Sequence, residues 1–371
     1  MKYYLIAGEA SGDLHGCNLI KGLKVLDPDA AFRCFGGDLM ESEGAEVTLN
    51  YRKMSFNGIW EIVKNFKTIN KHFELCKEDL INYSPDALIL IDYPGFNLRM
   101  AEFAKKHGIK TLFYIAPKVW ASRKWRIKKI RKFVDKLYAI LPFEEKYFKE
   151  RNCQVDYLGN PLMDAIAGFR PISEEKFRNE NNLSDKPIIA LLSGSRKMEI
   201  DLCLPEMISA SAHYPGYQFI VAGAPTIKTS YYEKFLTGTN IKIVYNKTYD
   251  LLYNAKAAIV TSGTATLETA LFKVPEVVIY KLIPATYIIG RPFVHIRFFS
   301  LVNIIMDREV VKELLQFNLA QNIQTELDKI LFDEKYRQTM LKDFDELINK
   351  IGKPGASSRA ADSMYHFISK N

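Results

Sequence analysis

The residues best suited to catalysis follow short apolar runs, which we interpret as buried parallel strands. Asp92 comes directly after one such run, Ala87–Ile91. Ligands of open parallel sheets bind beyond the carboxyl ends of the strands, so Asp92 is expected to face a substrate there. Partial desolvation makes a carboxylate in this position a better proton acceptor, which favours a role as general base. The alternative is that Asp92 caps the helix predicted to begin near Asn97.

Residues 8–15 follow the first predicted strand and combine small residues with polar side chains. Small residues let a ligand approach the backbone closely, and the helix that follows offers free N–H groups. Ser11, Asp13 and His15 could therefore bind a sugar or a phosphate. The spacing does not match the G-x-G-x-x-G dinucleotide fingerprint. The alternative is a glycine-rich turn in which Ser11 or Asp13 caps the helix.

Two segments of the second half each follow a predicted strand and open a helix. In the first, Gly194 and Ser195 precede Arg196, whose guanidinium could clamp a phosphate beside backbone N–H donors. In the second, small and hydroxyl residues precede a glutamate that could accept hydrogen bonds from ribose hydroxyls. Two such loops in one domain predict a site for a nucleoside diphosphate, although ordinary helix capping would also explain them. The second loop consists of Gly263, Thr264, Ala265, Thr266, Leu267 and Glu268.

The sequence predicts neither a metal site nor a cofactor. The Asp-x-Asp strings at 27–29 and 343–345 do not follow predicted strands, and the 6 histidines show no ligand spacing. Without a cation, Arg196 and helix N-termini would have to neutralise a leaving diphosphate. The 5 cysteines are scattered, which fits reduced thiols in a cytosolic protein.

The composition is that of a soluble globular protein. The chain has 371 residues, of which 48% are hydrophobic and 25% charged, and this excludes a disordered chain, a collagen-like repeat and a disulfide-rich miniprotein. The formal net charge of +8 favours anionic partners, namely nucleic acid, phosphorylated small molecules or an anionic membrane surface. The most apolar stretch, 282–306, is interrupted by prolines and arginines, so we expect no membrane-spanning helix there.

Short apolar runs alternate with longer amphipathic segments along most of the chain. One series of runs lies in the first 141 residues, and a second lies between 188 and 280. This alternation predicts an α/β fold with two doubly wound parallel sheets. We therefore predict two Rossmann-like domains, 1–170 and 186–350, joined by a linker with a short helix. The pattern after Lys281 is helical, and a last helix in 351–371 is predicted to pack back toward the first domain.

Two segments could contact a membrane surface. Residues 55–66 form an amphipathic stretch with large apolar groups, and residues 120–129 interleave tryptophans with lysines and arginines. The basic segment would also suit nucleic acid, and the apolar residues of both segments could instead belong to the core. The predicted membrane patch consists of Phe56, Ile59, Trp60, Val63, Trp120, Lys124 and Trp125.

In this order, the segments resemble one family, the bacterial lipid-A-disaccharide synthases. Each motif alone is weak, but their succession along nearly the whole chain is specific. The motifs are Gly8-Glu9-Ala10-Ser11-Gly12-Asp13, Phe35-Gly36-Gly37, Met54-Ser55 with Gly58 and Glu61, Ile91-Asp92 with Phe96-Asn97, Val119-Trp120-Ala121, Pro142-Phe143-Glu144, Gly194-Ser195-Arg196, Ser262 to Glu268, and Ser300 to Asn303 with Lys312 to Gln316.

The resemblance implies a GT-B fold, with two Rossmann-like domains facing each other across a cleft, and an inverting, metal-independent glycosyltransferase. It implies that a diacylglucosamine passes from UDP to the 6-hydroxyl of an acylated glucosamine 1-phosphate. Asp92 would be catalytic, either as the base or as an orienting group. The implied UDP-binding residues are Gly194, Ser195, Arg196, Gly263, Thr264, Ala265, Thr266, Glu268, Asn303 and Gln316. The implied acceptor-side residues are Ser11, Gly12, Asp13, His15 and Asn97.

The partners implied are the UDP-diacylglucosamine donor, the acylated glucosamine 1-phosphate acceptor and the cytoplasmic surface of the inner membrane, without nucleic acid. The first domain would bind the acceptor and face the membrane, and the second would bind the UDP-sugar. Whether the chain forms a homodimer stays an open question. Two alternatives remain. One is another UDP-sugar enzyme of the same architecture, such as a sugar epimerase or a peptidoglycan glycosyltransferase, and the other is a non-enzymatic binder of nucleic acid or anionic lipid.

Overall fold

The computed structural model describes residues 1–54, 65–283 and 297–370. The chain forms two compact units, the first comprising Met1–Ala165 with Ile351–Asn371 and the second comprising Ile166–Lys350. Each unit contains one parallel sheet with helices packed against it. The predicted α/β fold with two doubly wound parallel sheets is confirmed.

The first unit is built on a seven-stranded parallel sheet. Its strands are β1 (Lys2–Ala7), β2 (Ala31–Gly36), β3 (Glu46–Asn50), β4 (Ala87–Ile91), β5 (Lys110–Tyr114), β6 (Lys136–Ala139) and β7 (Asp156–Tyr157). They lie in the order β3-β2-β1-β4-β5-β6-β7. Its helices up to the first unit boundary are α1 (Ala10–Leu26), α2 (Asp38–Ser42), α3 (Phe66–Tyr83), α4 (Pro94–Lys106), α5 (Arg126–Phe133), α6 (Pro142–Lys149) and α7 (Pro161–Gly168), with a 3-10 turn at Tyr51–Lys53.

The second unit is built on a six-stranded parallel sheet. Its strands are β8 (Ile188–Leu192), β9 (Gln218–Gly223), β10 (Lys242–Tyr245), β11 (Ala255–Thr261), β12 (Glu276–Tyr280) and β13 (Lys312–Leu315). They lie in the order β10-β9-β8-β11-β12-β13. Its helices are α8 (Glu174–Glu180), α9 (Lys197–Ser211), α10 (Thr229–Leu236), α11 (Thr248–Tyr253), α12 (Thr264–Leu271), α13 (Leu301–Met306), α14 (Leu319–Phe332) and α15 (Glu334–Ile351).

The central strands are apolar along their whole length because both faces of the sheet are covered. In β4, Leu88 and Leu90 belong to one core cluster, whereas Ala87, Ile89 and Ile91 belong to another. All of these side chains are fully buried. A strand covered on both faces has no favourable position for a polar residue, so polar side chains appear only where the strand ends.

Each sheet reverses its strand order at one place. In the first unit the chain runs from β1 toward β3 on one side and from β4 toward β7 on the other, so the paired strands β1 and β4 mark the reversal. In the second unit β8 and β11 pair at the corresponding place. Connections that leave such a pair in opposite directions open a crevice at the carboxyl edge, where ligands bind in this architecture. Residues 8–15, Asp92, residues 194–196 and residues 263–268 follow these four strands, whereas the basic segment 120–129 follows β5.

Most strands lie where the sequence predicts them, and Ala87–Ile91, Ile188–Leu192 and Glu276–Tyr280 have the predicted bounds. The pattern misses β3, β7 and β13, which all lie at sheet edges. An edge strand is paired on one side only and does not need a continuous apolar run. The helical prediction after Lys281 is wrong at β13, whose Lys-Glu-Leu-Leu sequence has good helix formers but pairs with β12.

The last helix, α16 (Ala356–Ser369), packs against α1 within the first unit. Asp164 caps its N-terminus, because the carboxylate accepts hydrogen bonds from the backbone N–H groups of Ala356 at 3.1 Å and Ser357 at 2.7 Å. A carboxylate at this end also interacts favourably with the helix dipole. This contact joins α16 to α7, where the chain leaves the first unit.

Candidate functional site

Asp92 lies at the reversal point of the first sheet in an uncommon backbone conformation. Asp92 and Tyr93 have φ values of 45° and 47°, in the left-handed region that is unfavourable for residues other than glycine. The Asp92 N–H donates to the carbonyl oxygen of Tyr114 at 3.1 Å, which ties the turn to the end of β5. Strained turns of this kind are retained where the surrounding structure fixes them, and they cluster at functional sites.

Asn97 connects the ends of β1 and β4. Its fully buried Nδ2 group donates to the carbonyl oxygen of Asp92 at 2.7 Å and lies 3.3 Å from the carbonyl oxygens of Ile6 and Ile91. The N-cap of α4 is Tyr93, and its side chain makes no capping hydrogen bond. Asp92 therefore lies one residue before the N-cap position. The geometry gives Asn97 the role of fixing the backbone at Asp92.

Within residues 8–15, only part of the predicted polar surface is accessible. Ser11 is exposed, whereas Gly12 is buried against Ala7. Asp13 is also buried, and its carboxylate accepts three backbone hydrogen bonds from the first turn of α2 and the residue before it. Burial raises the pKa of Asp13, while these hydrogen bonds act in the opposite direction. Neither Ser11 nor Asp13 caps α1, so the capping alternative is wrong for this helix.

His15 and Gly8 contribute to the packing around this loop. His15 is buried, and burial lowers its pKa to about 4, so the imidazole is neutral at neutral pH. Gly8 lies against the ring of Tyr93, where a Cβ atom would come within 2.4 Å of the ring carbon Cγ. The Tyr93 hydroxyl donates to the carbonyl oxygen of Met54 at 3.0 Å. The loops after β1 and β4 therefore touch through Gly8 and Tyr93.

The basic segment after β5 has one anchored and one exposed tryptophan. The Trp120 indole N–H donates to Glu144 at 2.9 Å, and its ring packs edge-on against Phe143. Glu144 is fully buried, and its other oxygen accepts two backbone hydrogen bonds at the start of α6. Burial raises the pKa of Glu144 to about 7, against these hydrogen bonds. The sequence motif contained Glu144 but did not indicate its contact with Trp120.

Trp125 and Lys124 remain exposed, and the Trp125 side chain is 58% accessible. The other predicted members of the membrane patch, Phe56, Ile59, Trp60 and Val63, lie outside the described residues. Within residues 1–54, 65–283 and 297–370, no helix has the length and apolar character needed to cross a membrane.

One positive charge of the predicted basic segment, Arg126, lies within electrostatic range of Asp92. Arg126 begins α5 and is half-buried. Burial lowers its pKa, the neighbouring Arg123 acts in the same direction, and the Asp92 carboxylate opposes both effects. The edge that presents Asp92 thus also presents cationic side chains, which suits an anionic substrate.

In the second unit, the loop after β8 is held by a glutamate of the following helix. Glu199 accepts hydrogen bonds from the backbone N–H groups of Ser195 at 3.0 Å and Arg196 at 3.2 Å, and its other oxygen lies 3.5 Å from the Arg196 guanidinium. Gly194 has a φ of 100°, and a Cβ atom there would lie 2.5 Å from Glu199. Ser195 and Arg196 are both exposed.

The loop after β11 lies beside the loop after β8, because β8 and β11 are paired. Gly263 and Thr264 are exposed at the start of α12, and Ala265 is partly buried. The Thr266 hydroxyl is buried and donates to the carbonyl oxygen of Gly263 at 2.9 Å. Glu268 accepts a hydrogen bond from Tyr249 at 2.9 Å, and burial raises its pKa. The structure therefore brings both predicted nucleotide loops to one edge of the second sheet.

Asn303 and Gln316 use their side-chain amides within the protein. Asn303 is fully buried, and its amide is hydrogen-bonded to Glu313 and to the backbone of Val310 and Val311. The Gln316 amide donates to and accepts from the backbone of Leu282, at 2.8 and 3.0 Å. These contacts position the backbone next to β12 and β13, and the UDP-binding role of Asn303 and Gln316 stays a prediction.

The described parts of the chain contain no group of three or more His, Cys, Asp or Glu side chains arranged to hold a metal ion. The free cysteines Cys17, Cys34, Cys76, Cys153 and Cys203 are all buried. The polar groups at the two sheet edges are instead carboxylates, hydroxyls, arginines and backbone N–H donors. This set suits the binding of a sugar and of a phosphate.

Two solved structures have the same fold. A UDP-GlcNAc 2-epimerase from Neisseria meningitidis, bound to UDP-GlcNAc, superposes with a TM-score of 0.69 at 13% identity and covers 99% of this chain and 100% of its own. A glycosyltransferase from Rickettsia africae superposes with a TM-score of 0.58 at 15% identity and covers 100% of this chain and 99% of its own. The fold is the GT-B fold of glycosyltransferases and epimerases.

Sequence comparison identifies the family. The family model for lipid-A-disaccharide synthetase matches residues 3–364. A lipid-A-disaccharide synthase from Coxiella burnetii is 38% identical over 370 residues, covering 98% of each chain. One from Myxococcus xanthus is 35% identical over 372 residues, covering 98% of this chain and 97% of its own. The chain therefore belongs to the lipid-A-disaccharide synthase family, and it is a glycosyltransferase of lipid A biosynthesis.

Proposed function

We propose that this enzyme transfers 2,3-diacylglucosamine from its UDP form to 2,3-diacylglucosamine 1-phosphate, with inversion and without a metal ion. The products are the lipid A disaccharide 1-phosphate and UDP. The observation that supports this proposal most directly is the pairing of β8 with β11, which brings the loops at Gly194 and Gly263 to one carboxyl edge. That edge offers an arginine, hydroxyls and helix N–H groups to a diphosphate.

In the proposed reaction, Asp92 takes the proton from the 6-hydroxyl of the acceptor. The acceptor oxygen then forms a bond to the anomeric carbon of the donor, on the face opposite UDP. The bond between that carbon and the phosphate oxygen breaks, and its electron pair leaves with UDP. Arg196 and the N-termini of α9 and α12 stabilise the charge that develops on the leaving diphosphate. The proton on Asp92 is later released to solvent.

The other site residues divide into those that can meet a substrate and those that position them. Ser11, Ser195 and Thr264 are exposed at the sheet edges and are proposed to contact the substrates directly. Asn97 and Asp13 make buried hydrogen bonds to the backbone and are proposed to fix the acceptor-side loops. Asn303, Gln316, Thr266 and Glu268 are proposed to shape the nucleotide site in the same way.

Both proposed substrates are lipids, so we propose that the enzyme acts at the cytoplasmic surface of the inner membrane. The exposed Trp125 lies among lysines and arginines of α5 and the preceding segment. An aromatic side chain surrounded by cations suits the headgroup region of an anionic bilayer. The membrane patch would then lie on the unit that contains Asp92.

The test is the Asp92→Asn variant, assayed with the two acylated substrates and mass spectrometry of the product. We expect turnover to fall by about 10²- to 10⁴-fold, which is the contribution typical of general acid–base catalysis. UDP affinity should be unchanged, because the predicted nucleotide loops belong to the other unit. Substantial remaining turnover would remove Asp92 from the catalytic role, and a wild-type product other than the disaccharide phosphate would overturn the assigned reaction.

A further inference from the structure

Glu199 occupies the backbone donors of the proposed phosphate loop. Its Oε2 atom accepts hydrogen bonds from Ser195 N at 3.0 Å and Arg196 N at 3.2 Å. Its Oε1 atom lies 3.5 Å from the Arg196 guanidinium. One carboxylate therefore binds two N–H groups and a cation of the same loop, which is the set of partners that a phosphate would use there.

The local sequence favours this arrangement. Glu199 is the third residue of α9, where a glutamate side chain can reach back to the residue that precedes the helix. Gly194 leaves space for the carboxylate, since a Cβ atom would lie 2.5 Å from Oε2 and 2.7 Å from the Glu199 Cβ atom. The Glu199 side chain is 21% exposed, so it can rotate toward solvent when another anion enters.

We propose that the Glu199 carboxylate competes with a donor phosphate for the N–H groups of Ser195 and Arg196, and that it returns to them when UDP leaves. The inference rests on the proposed function of this loop as a UDP site. Because a carboxylate and a phosphate cannot share the same N–H donors, donor binding displaces Glu199, and the returning carboxylate displaces product UDP. Glu199 thus weakens UDP binding, preserves the loop conformation between turnovers and speeds product release.

The decisive variant is Glu199→Gln, whose amide oxygen still accepts a backbone hydrogen bond but has no charge. Removing one negative charge next to the phosphate position should tighten UDP binding by about fivefold to tenfold. UDP release should slow by a similar factor, so kcat should fall while the KM for the donor falls as well. A residue that only caps the helix would give weaker or unchanged UDP binding when substituted.

Asp201→Asn is the matched control, because it removes the same charge two residues further along α9. Asp201 pairs with Lys234 and Tyr231 of α10. UDP affinity should be unchanged in this variant, and equal tightening in both variants would reduce the effect of Glu199 to general electrostatics and overturn the proposal.

A crystal structure of the wild-type enzyme with UDP provides a test that does not depend on how the variants fold. We expect a phosphate oxygen within hydrogen-bond distance of Ser195 N and the Glu199 carboxylate rotated away. A phosphate bound elsewhere while Glu199 keeps both N–H groups would overturn the inference. Wild-type enzyme that does not bind UDP at all would instead contradict the proposed function, so the two failures are distinguishable.

Discussion

The side-chain amide of Asn97 donates a hydrogen bond to the carbonyl oxygen of Asp92 at 2.7 Å. Asn97 belongs to α4 and is fully buried, so this helix fixes the strained turn at Asp92 and Tyr93. Its Nδ2 atom also lies 3.3 Å from the carbonyl oxygens of Ile6 and Ile91, where β1 and β4 end. One side chain therefore fixes the two strand ends at the reversal of the first sheet.

Replacing Asn97 by Leu should lower kcat without affecting UDP binding. Leucine has a similar volume but cannot donate, so the carbonyl oxygens lose their partner and the Asp92 turn is free to relax. We expect kcat to fall at least about tenfold and the free energy of unfolding to fall by about 1–3 kcal/mol, the cost of unsatisfied buried polar groups. Steady-state kinetics, UDP calorimetry and urea unfolding measure the three quantities. Asn179→Leu, at an exposed position on α8, is the control and should leave all three unchanged.

Glu144 should make the protein less stable as the pH rises. Burial raises its pKa from 4.5 to about 7 in the folded state. Between these pH values the folded protein binds a proton that the unfolded chain has released, so the free energy of unfolding falls as pH increases through this window. The full loss in the free energy of unfolding corresponds to about 3 kcal/mol, and no loss occurs at pH values below the unfolded-state pKa.

The comparison of wild type with Glu144→Gln isolates this contribution from the other carboxylates. Glutamine does not titrate, and its side-chain amide oxygen can still accept a hydrogen bond from Trp120 or from the backbone. Urea unfolding at about pH 5 and about pH 8 should show the wild type losing about 2–3 kcal/mol relative to the variant. Parallel pH profiles for the two proteins would contradict the assignment of a titrating buried Glu144.

Trp125 should contribute to membrane binding, whereas Trp120 should contribute to stability. Trp125 is 58% exposed, while the Trp120 indole donates to buried Glu144. Trp125→Ala should reduce the affinity for anionic vesicles, measured by co-sedimentation, by about fivefold to tenfold. This is the effect expected when one aromatic side chain that inserts into the bilayer is removed. Binding of both proteins should fall as salt increases, because the neighbouring cations act electrostatically.

Phe332→Ala is the matched control for Trp125→Ala. Phe332 is also an exposed aromatic residue, with 68% accessibility, but it lies at the end of α14 in the second unit. Vesicle binding that falls equally in both variants, or in neither, would contradict a specific contact at Trp125.

The sequence was sufficient to locate the two edges but not to assign every side chain. Asp92 could be located because it follows a wholly apolar strand. Arg196 could be located because it lies between a second apolar strand and the helix that follows that strand. The hydrogen bond from Trp120 to Glu144 joins residues 24 apart, and it depends on how β5 and β6 pair. Sequence spacing has no information on such contacts, because long-range register decides them. Asp13 is similar, since its role as a cap for α2 requires β1 and β2 to be adjacent.

Gly8 should tolerate no side chain, although it has an ordinary backbone conformation. A Cβ atom at Gly8 would lie 2.4–2.7 Å from three ring carbons of Tyr93, and contacts under about 3 Å require the ring to move. The ring cannot move freely, because its hydroxyl donates to the Met54 carbonyl and Tyr93 itself is in the left-handed region. Movement of Tyr93 is therefore transmitted to its neighbour Asp92.

We expect Gly8→Ala to lower kcat by about 10²-fold, because small displacements of catalytic groups are costly, while UDP affinity stays at the wild-type value. Gly95→Ala is the control: Gly95 lies three residues from Asp92, and a Cβ atom there has no neighbour within 4 Å. Kinetics with both substrates and UDP calorimetry compare the two variants. Equal kcat values for Gly8→Ala and Gly95→Ala would show that the contact between the β1 and β4 loops does not position Asp92.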